Sequence, residues 1–317
     1  MNRSHSRPED GKVSARISRR RALMSMLAAA GGFCPAAADT NPPVRFAISE
    51  SLVSDVNIND ARAAMLVWVK RMMVDLNVVV ELTPRVFDTT EEVIRKARAG
   101  LFDSVALNMP EYHQICEFLD PSQILTEGGD LGTEQYFLLC RRNNDFKQLK
   151  DLRGRRLCIS NEHRMCMAPP WLSTILDEAH LGSAEQFFGS VTQETKLARV
   201  VLPVFFGQSD AAIASRRGFD AMCELNPQVA RDLVIVASSP PMVVSLYVFH
   251  RNYHSSSRQQ FVRAISQVRT SPAGRQMATL FQFDSLAVKD ASSLTTALAV
   301  LDKARLIRNR QGGRRNP

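Results

Sequence analysis

Three reactive side chains sit close together near the middle of the chain: Cys158, His163 and Cys166, in a C-x4-H-x2-C arrangement. A thiol beside an imidazole is a minimal nucleophile and base. Cys158 or Cys166 with His163 therefore defines one class of function, a small-molecule enzyme. A metal reading is poorer. Zinc sites use three or four ligands in close pairs, and His180, His250 and His254 lie elsewhere in the sequence. There is no G-x-S-x-G elbow and no H-E-x-x-H, and none of the 15 glycines falls in a G-x-G-x-x-G loop. No cofactor or metal is expected, and binding is favoured over catalysis.

The same segment offers a second chemistry. Residues 161–167 form a polar loop ahead of Pro169-Pro170, which opens a helix over 171–180, proline being welcome in a first helical turn. A helix N-terminus presents backbone donors and a favourable dipole to an anion, about 0.3–1 kcal/mol when exposed and roughly 2 when partly buried. Arg164 could add a bidentate contact to a carboxylate or phosphonate. Glu162 opposes an anion, and Met165 and Met167 suit a greasier ligand.

The elements that must position these residues follow from periodicity. Residues 44–49 and 78–82 read as strands, with a helix capped by Asp60 running to about Leu76 between them. Asp88-Thr89-Thr90-Glu91 is a capping box, and Gly100 suits the residue after a helix over 91–99. Residues 105–108 make a third strand, and Pro110 opens a short helix containing Tyr112. Strand, helix, strand, helix at this spacing argues for a mainly parallel sheet with covering helices. Further strands are expected at 135–140, Arg156–Ser160, 210–214, 233–237 and Ser245–His250, with a helical turn over 144–152 stopped by Gly154. A helix starts at 218–223, and amphipathic helices cover 257–268 and 292–307. Phe205–Phe206 reads as a short buried strand or turn.

Charge is concentrated at the ends. Residues 1–38 hold seven basic side chains against two acidic, and residues 302–317 hold six against one. The part between carries 27 basic and 29 acidic residues, a net of −2 beside +8 for the whole. No basic face tracks a phosphate backbone, so nucleic acid is not an expected partner. Arg19-Arg20-Arg21, an apolar run over 22–30 and Ala36-Ala37-Ala38 read as an export signal of twin-arginine appearance, cleaved after Ala38. The apolar run is shorter than the roughly 20 residues a membrane span needs. Five cysteines remain beyond the cleavage point, an odd and scattered set that reads as buried small apolar residues, with Cys158–Cys166 the nearest pair for a bridge.

Six pieces carry a family resemblance: VNINDARAAMLVWVK (56–70), VFDTTEEVIRKARAG (86–100), DSVALNMPEY (103–112), EQYFLLCRR with LKDLRGRRL (134–157), SDAAIASRRGFDAMCELNP (209–227) and SSPPMVVSLYVFHRNY (238–253). In this order and spacing they resemble the periplasmic solute-binding proteins of phosphate/phosphite/phosphonate ABC transporters, over residues 44–281. The resemblance implies an α/β type II periplasmic-binding fold: two Rossmann-like lobes joined by two crossing strands near 137 and 245. Lobe 1 would comprise 44–133 and 245–307, lobe 2 would comprise 140–237, and a disordered basic tail would occupy 308–317. Family members that bind phosphonates carry a Ser/Thr-rich loop where this chain has residues 161–168, which contain neither Ser nor Thr.

In such a fold ligands meet the carboxyl ends of strands and the helix starts that follow. That rule selects Ser49 and Ser51 (with Glu50) after the first strand, Asp88 and Thr89 at the capping box, and Asn108 and Tyr112 after the third strand. In lobe 2 it selects Asn161, His163 and Arg164, with Ser209, Asp210 and Tyr136 also taken as cleft residues. Asp88 serves equally as a helix cap, Asp210 as a structural hydrogen-bond partner, and Tyr112 and Tyr136 as packed rings; Glu134 and Pro240 suit a hinge. The expected role is capture of a small, anionic, phosphonate- or phosphite-like solute by a monomer that delivers it to an ABC permease. The alternatives are a sensor feeding a membrane histidine kinase, and the enzyme named above.

Overall fold

The computed structural model describes residues 43–53, 57–76, 80–81, 85–128, 132–144, 146–281 and 283–313. The export signal, Cys34 and the cleavage point after Ala38 lie outside these residues, as do most of the strand expected over 78–82 and the last four residues.

In chain order the elements are β1 (Phe46–Ser49), α1 (Ile58–Leu76), β2 (Arg85–Phe87), α2 (Thr90–Arg98), β3 (Ser104–Asn108), α3 (Met109–Ile115) and β4 (Leu119–Glu127). Next come β5 (Tyr136–Arg141), β6 (Arg156–Ser160), α4 (Ala168–Glu178), α5 (Ala184–Phe187), β7 (Ser190–Glu194), α6 (Leu197–Phe205) and β8 (Ala211–Ser215). The chain closes with α7 (Arg216–Leu225), α8 (Pro227–Asp232), β9 (Leu233–Ser238), β10 (Ser245–His250), α9 (Ser257–Ser266), α10 (Pro272–Leu280), β11 (Leu286–Lys289) and α11 (Thr295–Gly313).

Two sheets result. A six-stranded sheet has the order β11-β4-β10-β3-β1-β2, and a five-stranded sheet the order β7-β6-β8-β5-β9. The first takes strands from both ends of the chain and the second from its middle, so the backbone crosses between lobes twice. Glu134 and Met242 pair across these crossings in an antiparallel bridge, each N–H donating to the other's carbonyl at 2.7 and 2.8 Å. The parallel core of the first sheet is β2-β1-β3, with Ser49 level with Phe87. β10 runs antiparallel to β3 with Ser245 opposite Asn108. Ser49, Phe87, Asn108, Ser245 and Glu127 therefore share one end of this sheet. In the second sheet β6 is parallel to β7 and β8, while β5 is antiparallel to β8 with Tyr136 opposite Ser215. Ser160, Glu194, Ser215 and Tyr136 share its corresponding end.

Local chemistry explains most boundaries. Thr89 caps α2 by accepting from Glu92 N–H at 3.1 Å, one residue later than the expected Asp88–Glu91 box, while Glu92 accepts from the N–H of Asp88, the residue before the cap, at 3.2 Å. Past its end, Gly100 adopts φ +61°, which lets its N–H reach Ala97 and that of Leu101 reach Lys96, a Schellman closure. Gly154 turns the chain into β6 at φ +71°. α1 is capped by Asn57, whose side chain accepts from Asn59 and Asp60 N–H, and not by Asp60, which sits in the first turn. Of the second expected strand, Val80 bridges to Val44, and the strand beside β1 is the later β2.

Other departures have equally plain causes. β4 was not expected, because Pro121 and Ser122 interrupt its apolar pattern. They fall where the register shifts between Val248 and Phe249, a bulge that tolerates a proline. Phe205 ends helix α6 rather than a buried strand, and Phe206 is 62% exposed. The tail expected to be disordered from Arg308 continues α11 to Gly313. That helix packs against α3 and α4, where Asp302 meets His113, Lys303 meets Glu178, and Arg310 meets Asp177.

The sheet of lobe 1 has two apolar faces, as strand periodicity requires. Ala47, Leu107, Ile124, Leu246 and Val248 face α2, α3 and α11 in a cluster that continues through Met242–Val244 into Tyr136, Leu138 and Trp171 of lobe 2. Phe46, Ile48, Leu125, Tyr247 and Phe249 face α1, α9 and α10.

Candidate functional site

At the carboxyl ends of β1 and β3, the donors expected to hold a solute converge on a carboxylate of the protein itself. Asn108 caps α3 by accepting from Glu111 N–H at 2.9 Å, and this local box turns the Glu111 side chain back over the strand ends. Ser49 Oγ donates to Glu111 Oε1 at 2.6 Å. Ser51 Oγ and Asn108 N–H donate to Oε2 at 3.1 Å each, and Asn108 Nδ2 donates to Ser51 Oγ at 2.9 Å. Glu111 is only 3% exposed. Burial pushes its carboxyl up from the ordinary range, and the bonds from Ser49, Asn108 and Ser51 pull partly the other way. Ser49, Ser51 and Asn108 thus come together, but around an internal carboxyl group rather than a free cleft.

Lobe 2 shows a parallel arrangement. Tyr136 is fully buried, packs beside Trp171 and donates from its hydroxyl to Arg164 C=O at 2.7 Å. Arg164 is likewise engaged. Its guanidinium forms a two-pronged pair with Glu127, one arm at 3.0 Å, and donates from Nε to Glu134 at 2.8 Å, while Arg217 also pairs with Glu134. Burial disfavours the Arg164 charge, but the two carboxylates outweigh it and raise its pKa. Glu127 ends β4 of lobe 1 and Arg164 belongs to lobe 2, so this cluster links the lobes beside the crossings.

Between the polar cluster and the far side of lobe 1 lies a cavity of about 120 Å³. Its walls are apolar: Ile48 and Ala106 from the sheet, Trp68 from α1, Ile265 from α9, Met277 from α10, and Phe281 beyond it. Its polar edge is formed by Thr126, Glu127, Ser245 and, from lobe 2, His163. Strands β1, β3, β4, β10 and β11 and helices α1, α9 and α10 all contribute to it, so it is part of the architecture of lobe 1.

The remaining expected residues divide. Asp88 and Thr89 follow β2 at the same end as Ser49, exposed and engaged in capping α2. Asn161 is exposed after β6, its N–H bonded to Glu194 C=O at 3.1 Å. Tyr112 is 4% exposed and packs from α3 into the core, its hydroxyl pKa raised by burial. Ser209 and Asp210 lie at the opposite end of the lobe 2 sheet from Ser160 and Ser215. Asp210 accepts from Arg156 N–H and Nε at 2.9 and 3.1 Å, and Ser209 donates to Arg156 C=O. They precede β8 rather than follow it, so strand direction removes them from the cleft. Sequence reasoning missed Glu111, Glu127, Ser245 and Ser160. Glu111 was signalled by its place three residues after the capping Asn108. Ser160, 2% exposed at the carboxyl end of β6, has an Oγ with no hydrogen-bond partner among the described residues.

The arrangement is poor for covalent chemistry. Cys116, Cys140, Cys158, Cys166 and Cys223 are all free thiols. Burial raises Cys158 and pushes Cys166 up to about 12, so neither supplies a thiolate at neutral pH. Among the described residues no group of three or more His, Cys, Asp or Glu side chains is placed to hold a metal ion. No helix among them is long and apolar enough to cross a membrane.

A comparison with the curated proteins gave no match. Solved structures share the fold. XAC2383 from Xanthomonas citri, solved bound to ATP, superposes with a TM-score of 0.60 at 15% identity, covering 83% of this chain and 98% of that one. PhnD1 from Prochlorococcus marinus in complex with methylphosphonate gives 0.56 at 14% identity, covering 84% and 99%. A binding protein component of an ABC phosphonate transporter from Pseudomonas aeruginosa gives 0.50 at 12%, covering 87% and 100%. The fold is that of the type II periplasmic binding proteins. The family model for phosphonate ABC-transporter periplasmic substrate-binding proteins matches residues 54–294, and members of this family bind substrates rather than transform them. Two sheets joined by paired crossings, strand ends gathered at the junction, and a match over most of its length make this chain a member of the phosphonate-type periplasmic substrate-binding proteins of ABC transporters.

Proposed function

We propose that the protein captures a small solute at the junction of its two lobes and presents it to an ABC permease. The jaws are 44–133 with 245–307, and 140–237. The observation that carries this reading is the placement of the cavity. Its polar edge joins Glu127 and Ser245, at strand ends of lobe 1, to His163 from lobe 2, so a solute there touches both lobes and favours the form in which they meet. Binding that requires two rigid bodies to close is a hinge mechanism, and micromolar affinity needs only about −8 kcal/mol.

Ser49, Ser51, Asn108 and Arg164 would be the anion-holding residues for a phosphonate or phosphite. Such a ligand would have to displace Glu111 or compete with Glu127. Ser160 adds a hydroxyl that a solute could satisfy.

The test is a melting series on the purified protein, with scattering to read its radius. The panel holds phosphonates, phosphite, sulfonates, dicarboxylates and short-chain alcohols. A true ligand at a hundred times its Kd adds about 2.7 kcal/mol to stability and shrinks the radius. A flat melting temperature and an unchanged radius across the panel would count against capture.

A further inference from the structure

The cavity in lobe 1 has the wrong walls for a small anion and suitable ones for hydrocarbon. Ile48, Trp68, Ile265, Met277, Phe281 and Leu286 come from five different segments and line it without a charged group except at its one polar edge. Apolar walls around a space of about this size suit a hydrocarbon group, as engineered apolar cavities that take up benzene or xenon do. Methionine at the wall lets such a space adapt to irregular shapes, and Met65 joins Met277 here. The edge is different. Thr126, Glu127, Ser245 and His163 supply polar atoms, and they do so on the side facing lobe 2. Meanwhile the donors that would hold an isolated anion, Ser49, Ser51 and Asn108, are bound to Glu111.

We propose that the solute is a small amphiphile, whose apolar end of about four to six carbons fills the lobe 1 cavity and whose polar head lies at the edge formed by Glu127, Ser245 and His163. This rests on the capture reading and specifies its ligand class. Entry from the lobe junction follows from the geometry, since the other walls belong to the sheet and to α1, α9 and α10. Closing lobe 2 would bring His163 over the head and shield the apolar end from water.

Calorimetric titration of the protein with methyl-, propyl-, butyl- and hexylphosphonate and with the matching alcohols tests this. Affinity should rise about fourfold per added methylene until the cavity is full near five carbons, in either head series. Ala106→Leu and Leu286→Phe, which fill the cavity from opposite sides, should each flatten that rise while leaving the melting temperature near the parent value. If one of them fails to fold, the other still reads the effect, and xenon uptake in a pressurised crystal reads occupancy without any variant. Equal affinity for methyl and hexyl members, or a chain-length slope that both variants leave intact, overturns the cavity assignment. Silence of the long-chain members while small anions still stabilise the protein overturns it too and leaves solute capture standing. Silence across both sets removes both.

Discussion

Two regions of lobe 1, one on each side of the same strand ends, solve opposite problems. Around Glu111 every donor in reach is used: two hydroxyls and a backbone N–H meet one carboxylate in a site almost closed to water. Across the sheet, the cavity lined by Trp68, Ile265 and Met277 leaves apolar surface with nothing against it. The first region is saturated and the second is not. Buried polar groups that lose a partner cost more than the net value of the bond, so a saturated polar cluster resists a ligand. An unfilled apolar space welcomes one. The difference teaches that the position where this fold offers anion donors is not where this chain has room for a solute.

The largest effect expected from breaking the contrast is at the link between lobes. Arg164→Ala leaves Glu127 and Glu134 buried beside one fewer cation, and removing one partner of a buried pair costs about 3–5 kcal/mol. Denaturant melts should show this loss, and a change under about 1 kcal/mol would mean that water already reaches the pair.

Next comes Glu111→Ala, which strands three donors and should cost about 2–3 kcal/mol. Acetate or methylphosphonate should restore much of that in the variant and leave the parent protein unmoved, read as a salt-corrected shift in melting temperature. Equal shifts in both proteins would show that the cluster is not a closed anion site.

The pH dependence has a definite sign. Burial raises the Glu111 pKa in the folded state, so its contribution is fully present below the ordinary carboxylate range and is lost as pH rises through the folded value. The stability of the parent relative to Glu111→Gln should therefore fall as pH rises above the ordinary carboxylate range. The smallest effect belongs to Asp210→Ala, whose partner Arg156 is largely exposed. It should cost about 1 kcal/mol or less and leave solute affinity unchanged, because it lies at the far end of the lobe 2 sheet.

Local signals carried far in this sequence, and long-range ones did not. β6 and β10 were legible to the residue, bounded by Gly154, Pro241 and polar loops and filled with branched or aromatic side chains. The Gly100 closure of α2 was legible because its partners lie within five residues, while the cap at its other end fell one residue past the expected Asp88–Glu91 box, on Thr89. β4 was not, since its bulge hides the alternation behind Pro121. The strand-end rule found Ser49, Ser51 and Asn108 as neighbours but could not show that Glu111, 62 positions from Ser49, would take their bonds. Arg164 reads as an anion clamp until Glu127, 37 residues earlier, is brought beside it. Ser209 and Asp210 failed for a simpler reason: a residue before a parallel strand lies at the end opposite one that follows it. Met165 and Met167, read as signs of a greasier ligand, are core residues beside Tyr136 and Trp171, and the cavity's walls come from segments that share no local pattern.

A crystal structure of the protein grown with hexylphosphonate measures the central claim most directly. The account predicts the alkyl chain between Trp68, Ile265 and Met277, the head near Ser245 and His163, and Glu111 still held by Ser49 and Ser51. A phosphonate group gripped by Ser49, Ser51 and Asn108, with Glu111 swung away and the cavity empty, would contradict it.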